Sequence, residues 1–166
     1  MYGRQTETAI AAMSRLAEVY DGGATRLSAA EIADDRGLQA PSVAKILTTL
    51  SQAGLVGGMP GPGGGYALSK EPSEIRVRDV FALFEREDDN VNCPFGGGVC
   101  GAGVGCAIHE KLVAVKEAMV ELLDGSTFEL FRAAYQDQGK RPTDRSAKAK
   151  KPRASYRAGV RRTSNA

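Results

Sequence analysis

The 166-residue sequence has no tryptophan, one histidine and only three cysteines. It also lacks any run approaching the roughly 20 apolar residues that a membrane-crossing helix requires. Its first residues, MYGRQTETAI, show none of the charged start, apolar stretch and small-residue cleavage site of a secretory leader, so a cytoplasmic protein without a membrane partner is expected. An odd number of cysteines, all between Cys93 and Cys106, is a poor plan for a secreted disulfide framework but suits metal or redox chemistry. There is no nucleophile motif, and GPGGGY follows a helical pattern outside any βαβ unit, so it is not a phosphate loop. An enzyme acting on a small-molecule substrate is therefore not expected. What remains is 42% apolar and 25% charged, enough for one domain with a real core.

The net charge of +2 conceals a strong asymmetry. From Gly139 onward, ten Lys+Arg stand against Asp144 alone, which leaves the preceding body acidic. The tail, residues 139–166, has almost no apolar periodicity and cannot bury enough surface to offset its ordering entropy, so it is expected to be disordered. It reads either as a nonspecific arm for nucleic-acid phosphates or as a solvated terminus.

Within the body, Ala9, Ile10, Met13, Leu16, Ala17 and Tyr20 recur at the spacing of three and four that makes one helical face, over about Arg4 to Tyr20. Ser28 stands three residues before Glu31, a capping box, with Leu27 and Ile32 placed for a hydrophobic staple across the start of a second helix that ends at Gly37. A third helix begins near Pro41, turns Val43, Ile46, Leu47 and Leu50 inward, and stops at Gly54. Its opposite stripe is Ser42, Lys45, Thr49 and Gln52, all hydrogen-bond donors. Leu55-Val56, the loop GGMPGPGGG and Tyr66-Ala67-Leu68 then read as two short strands around a glycine-rich turn. Two short helices followed by such a hairpin make a winged helix-turn-helix over residues 1–70. Its candidate DNA contacts are Gln39, Pro41, Ser42, Lys45 and Thr49, with Gly63, Gly64, Gly65 and Tyr66 from the wing, whose glycines let backbone N–H groups approach phosphates.

A connecting helix is expected over 74–87, with Val77, Val80, Phe81 and Phe84 packing on the first helix. Residues 88–107 have neither helical nor strand period and read as a ligand-bearing loop. Cys93, Cys100 and Cys106 are separated by six and then five residues, and His109 follows after two more. Three cysteines and a histidine complete a structural zinc set, and the same donors can hold an iron–sulfur cluster; the wide gaps favour the cluster over zinc. Over 107–124, Ile108, Leu112, Val115, Met119 and Leu122 form a heptad seam that Val113, Val120 and Leu123 widen, the pattern of a dimerisation helix. Ser126 and Glu129 then open a C-terminal helix, 126–138, whose Phe128, Phe131 and Tyr135 can cover the first helices. The expected fold is mainly α with a small β-hairpin.

Three groups of residues resemble one known family: ETAIAAMSRLA, then KILTTLSQAGLV followed by GPGGGYALSK, and Cys93, Cys100, Cys106 and His109 ahead of a long helix. Over about residues 1–135 the chain is similar to the IscR-type regulators, which include NsrR and RirA. The resemblance implies a winged-helix homodimer on promoter DNA, acting as a repressor, with an iron–sulfur cluster that senses iron–sulfur supply, oxidation or nitric oxide. In IscR-like members a histidine at the place of His109 is the fourth ligand of a two-iron (2Fe-2S) cluster; in NsrR-like members a partner-subunit carboxylate at the place of Glu7 takes that role. The first reading, and with it 2Fe-2S over 4Fe-4S, is favoured. The sequence departs from the family in the six-residue first cysteine gap, in Pro60 where IscR-like wings carry arginine, and in Ala44 where that recognition helix carries a carboxylate.

Overall fold

A computed structural model describes residues 3–85 and 107–137. The chain runs α1 (Arg4–Glu18), α2 (Ala29–Arg36), α3 (Ala40–Gln52), β1 (Val56–Met59), β2 (Gly65–Leu68), a 3-10 turn (Pro72–Glu74), α4 (Val77–Phe81), α5 (His109–Gly125) and α6 (Glu129–Asp137). Among the described residues no helix is long and apolar enough to cross a membrane.

The core is built by helical spacing. Ala9, Met13, Leu16 and Ala17 of α1 meet Ile32 of α2 and the Val43, Ile46, Leu47, Leu50 stripe of α3, all buried. The start of α2 is set locally: Ser28 Oγ accepts the Glu31 N–H at 3.2 Å while the Ser28 N–H donates to Glu31 Oε2 at 2.7 Å. Its end is set by Gly37 at φ 65°, in the left-handed region. Two ion pairs lock α2 onto α1, Arg15 Nε to Asp35 Oδ2 at 2.6 Å and Arg36 Nη2 to Glu18 Oε1 at 2.7 Å.

β1 and β2 pair antiparallel in the register Val56↔Leu68 to Met59↔Gly65. The first strand thus extends three residues into the run expected to be loop, because Gly57 and Gly58 pair as strand residues once Val56 is anchored in the core. Leu27 adds a further rung: its N–H donates to Tyr66 O at 3.0 Å and its carbonyl accepts the Tyr66 N–H at 2.8 Å.

The helix expected over 74–87 is shorter. Ile75 and Arg76 are extended instead, because this stretch pairs with the approach to α6: the Phe128 N–H donates to Ile75 O and the Val77 N–H to Ser126 O, each at 3.0 Å. Helix α4 therefore starts only at Val77, where Arg76 and Asp79 cap it. Phe128 is fully buried against the core, stacked on Phe131 with centroids 5.5 Å apart, and α6 lies along α1 as its aromatic spacing suggests. Helix α5 is tied to α4 by the Arg78–Asp124 ion pair and buries Leu123, with Met119 packed at the edge of the core. Val115, Val120 and Leu122 face solvent, 64%, 41% and 51% exposed. The heptad seam is therefore divided: Met119, together with the flanking Leu123, serves the protomer's own core, and Val115 and Leu122 do not. The ligand loop (88–107) and the tail (139–166) lie outside the described residues, apart from Ala107.

Candidate nucleic-acid interface and metal ligands

Because α3 buries Val43, Ile46, Leu47 and Leu50, the residues on its other side are forced outward. Gln39, Pro41, Ser42, Lys45 and Gln52 are exposed. Thr49 is half-buried, and its hydroxyl donates to Lys45 O at 3.4 Å. Thr48 is the exposed threonine, three residues beyond Lys45 on the same stripe, and it is absent from the stripe expected from sequence. Its hydroxyl donates to Ala44 O at 3.0 Å, leaving the oxygen free to accept. Helix α3 contains no acidic residue, so the positive end of its dipole and the Lys45 ammonium face outward without a carboxylate on the helix to oppose them.

The wing follows α3 in the chain, and its glycines have a steric role. A Cβ on Gly64 would lie 2.2 Å from Met59 O. Gly65, at φ 146°, brings its backbone so close to Leu27 that a Cβ would meet that carbonyl at 2.8 Å. The Gly64 N–H donates to Gly61 O at 2.9 Å and the Tyr66 N–H donates to Leu27 O, so these two amides close the hairpin and are not available to phosphates. Gly63 is exposed at the tip, and the Tyr66 ring lies against Gly58. At the wing base, Arg26 Nη1 donates to Gly57 O at 3.2 Å, placing a guanidinium next to the strand that leads to Pro60. Nothing in its local pattern marks Arg26, because the contact links distant segments.

Of the four metal-ligand candidates, only His109 is described: it is the first residue of α5 and half-buried. Cys93, Cys100 and Cys106 lie outside the described residues. Glu7 is exposed in the first turn of α1. That turn has no capping side chain of its own at Gly3. Glu85 supplies the cap from the far side of the sequence, its Oε1 accepting the Thr6 hydroxyl and, at 2.6 Å, the Gly3 N–H. These bonds, the Thr6 hydroxyl first, hold the Glu85 carboxyl below the usual carboxylate range. The Ser28 hydroxyl and amide do the same for Glu31. Among the described residues no three His, Cys, Asp or Glu converge as a metal site.

A model of the Rrf2 family, described as an iron-dependent transcriptional regulator, matches residues 2–132. HTH-type transcriptional regulators IscR of Escherichia coli strains are 33% identical over 119 residues, 72% of this chain and 72% of theirs. The IscR of Klebsiella pneumoniae is 31% identical over 98 residues, and the match spans only 60% of that relative's length. Among solved structures, CymR, the global cysteine regulator of B. subtilis, superposes with a TM-score of 0.66 at 24% identity, over 81% of this chain and 97% of that one. T. potens IscR follows with a TM-score of 0.62 at 24% identity, over 85% and 93%. The fold is the winged helix that the sequence implied, and these relatives are regulators, in agreement with the absence of enzyme motifs.

Proposed function

The chain belongs to the Rrf2 family of transcriptional regulators, and from that membership we propose that it is a cytoplasmic repressor that grips promoter DNA as a homodimer. The observation that carries the DNA reading is the exposed, acid-free stripe of α3, Gln39, Pro41, Ser42, Lys45 and Thr48 with Thr49 at its flank, followed in the chain by a wing locked in place by Leu27 and Tyr66. Such a stripe suits base edges and phosphates in a major groove, with Gly63 at the wing tip next to the backbone. The solvent-facing Val115, Val120 and Leu122 of α5 support pairing of two copies, which sets two α3 helices against symmetric half-sites.

Cys93, Cys100, Cys106 and His109 are assigned to an iron–sulfur cluster, 2Fe-2S in preference to 4Fe-4S, with Glu7 as the competing fourth ligand. Three thiolates and an imidazole fit such a group chemically, and His109 is half-buried rather than on the open face of α5. When bound, the cluster supplies an iron centre sensitive to oxidation, iron supply or nitric oxide. His109 opens the helix that bears the exposed apolar stripe, so a change in how His109 is held bears directly on α5. Glu85 holds the turn of α1 that carries Glu7. A tenfold change in DNA affinity needs only about 1.4 kcal/mol of difference between two such arrangements.

The test is to purify the protein without oxygen, count iron and acid-labile sulfide per subunit, and follow binding to a promoter fragment. Visible absorption that disappears in Cys93→Ala, Cys100→Ala and Cys106→Ala is expected, and His109→Ala against Glu7→Ala identifies the fourth ligand. Zinc without sulfide would overturn the cofactor assignment, and identical DNA binding with and without iron would overturn the sensing.

A further inference from the structure

The wing carries no charge. Between Lys45 and Lys70 the sequence holds neither an acid nor a base, so the hairpin itself offers no cation to a phosphate. Its amides are largely engaged as well, by strand pairing, by the Gly64 N–H on Gly61 O and by the Tyr66 N–H on Leu27 O. What the tip presents instead is apolar. Met59, the last residue of β1, is 54% exposed, and Pro60 and Pro62 are exposed with it. The register explains why Met59 is not drawn inward. Tyr66 pairs with Gly58, and its ring lies against Gly58 while packing at the edge of the core. Side chains alternate along a strand, so Met59 is directed to the opposite face. The tip is also stiff: Pro60 confines Met59 to extended backbone, and the Gly64 N–H closes the turn on Gly61 O at 2.9 Å.

We propose that Met59 is a wedge that inserts between two stacked base pairs in the minor groove next to the half-site held by α3, so that the protein kinks its target. The inference rests on the DNA-binding reading above and adds a function to it. Apolar side chains, methionine among them, enter minor grooves in this way, unstack a base step and bend the duplex toward the major groove. An unbranched thioether fixed at the end of an uncharged projection has the chemistry for that insertion, and none for a phosphate. The step it opens is expected to be pyrimidine–purine, TA or CA, because these unstack most easily. The wing then recognises deformability, while α3 reads base edges.

The experiment uses the full chain and two full-length variants. Met59→Gln keeps the length of the side chain and removes its apolar character; Met59→Leu keeps it apolar. Because position 59 is exposed, both should fold as the unmodified chain does, which far-UV dichroism and the thermal midpoint check. The probe is a duplex enriched from a random pool by the unmodified chain, end-labelled for energy transfer and carrying 2-aminopurine at successive adenines beside the half-site. With the unmodified chain and with Met59→Leu, 2-aminopurine emission is expected to rise at one step and the duplex to bend by roughly 20–90°. Met59→Gln is expected to lose both signals and to bind about tenfold more weakly, with the salt slope unchanged because no charge is altered. A duplex that stays stacked and straight under the unmodified chain, or a Met59→Gln chain that opens and bends it equally well, would overturn the inference. So would a Met59→Gln chain whose oligomeric state changes while the base-step signal persists, since the tip would then be a protein contact. Should the unmodified chain bind no duplex at all, the DNA-binding reading itself falls, a different result from any of these.

Discussion

Helices α3 and α5 are both amphipathic by spacing, yet their apolar residues meet different fates. In α3 all four of Val43, Ile46, Leu47 and Leu50 are buried, and the polar side is what solvent meets. In the 17-residue α5 only Leu123 is buried, and three large apolar residues remain exposed. Periodicity shows that a helix has a face to cover; whether its own fold covers it depends on what packs there. The winged-helix half is finished within one chain, whereas α5 leaves an apolar stripe that the described residues do not cover.

Phe128→Ala tests the finished half most severely. It removes a fully buried ring where α6 meets Ile75 and should lower unfolding stability by about 3–5 kcal/mol, read as a urea or thermal midpoint. On the unfinished side, Val115→Glu with Leu122→Glu should weaken subunit association about 100-fold or more, equivalent to about 2.7 kcal/mol, as measured by sedimentation. The far-UV signal should remain native, and a matching collapse of the fold would erase the contrast between the helices. Gly65→Ala forces a side chain into the Leu27 carbonyl at a left-handed φ and should cost about 2 kcal/mol. Its mark is faster amide exchange at Leu27 and Tyr66, with α1 and α3 protected. Ser28→Ala removes one partner of the capping box and should cost about 1 kcal/mol, confined to α2.

The smallest effect is a pH dependence. The Thr6 hydroxyl and Gly3 amide depress Glu85, the Ser28 hydroxyl depresses Glu31, and Arg78 depresses Asp124. Groups lowered in the folded state stabilise it above their unfolded values, about 3.9–4.3 for these residue types, and that contribution is lost as pH falls through the lower folded values. Urea midpoints should therefore decline below about pH 4.5, and Glu85→Gln should make the decline shallower.

What the sequence makes legible here is what neighbours in the chain decide. The α2 cap, the Gly37 stop and the buried stripe of α3 are written within a few residues, and each occurs as expected. Helix α4 is misjudged because its start is set by the pairing of residues 75–77 with 126–128. Thr48 is missed because a stripe read as Ser42, Lys45, Thr49 and Gln52 steps past it, although Lys45 to Thr48 is an equally good helical step. The wing glycines look like ligand positions in sequence; only backbone proximity to Met59 and Leu27 reveals their steric duty. The Glu85 cap on α1 joins residues too far apart for any local pattern to announce.

The double exchange between Leu27 and Tyr66 hangs the hairpin from the residue that precedes α2, while the exposed positions of α3 take no part in that anchorage. On the proposed DNA reading, the surface of α3 and the seat of the hairpin are thus separately replaceable parts. Recombining the outward positions of α3 with those of another regulator should retarget the molecule to a new operator while its hairpin keeps the same seat.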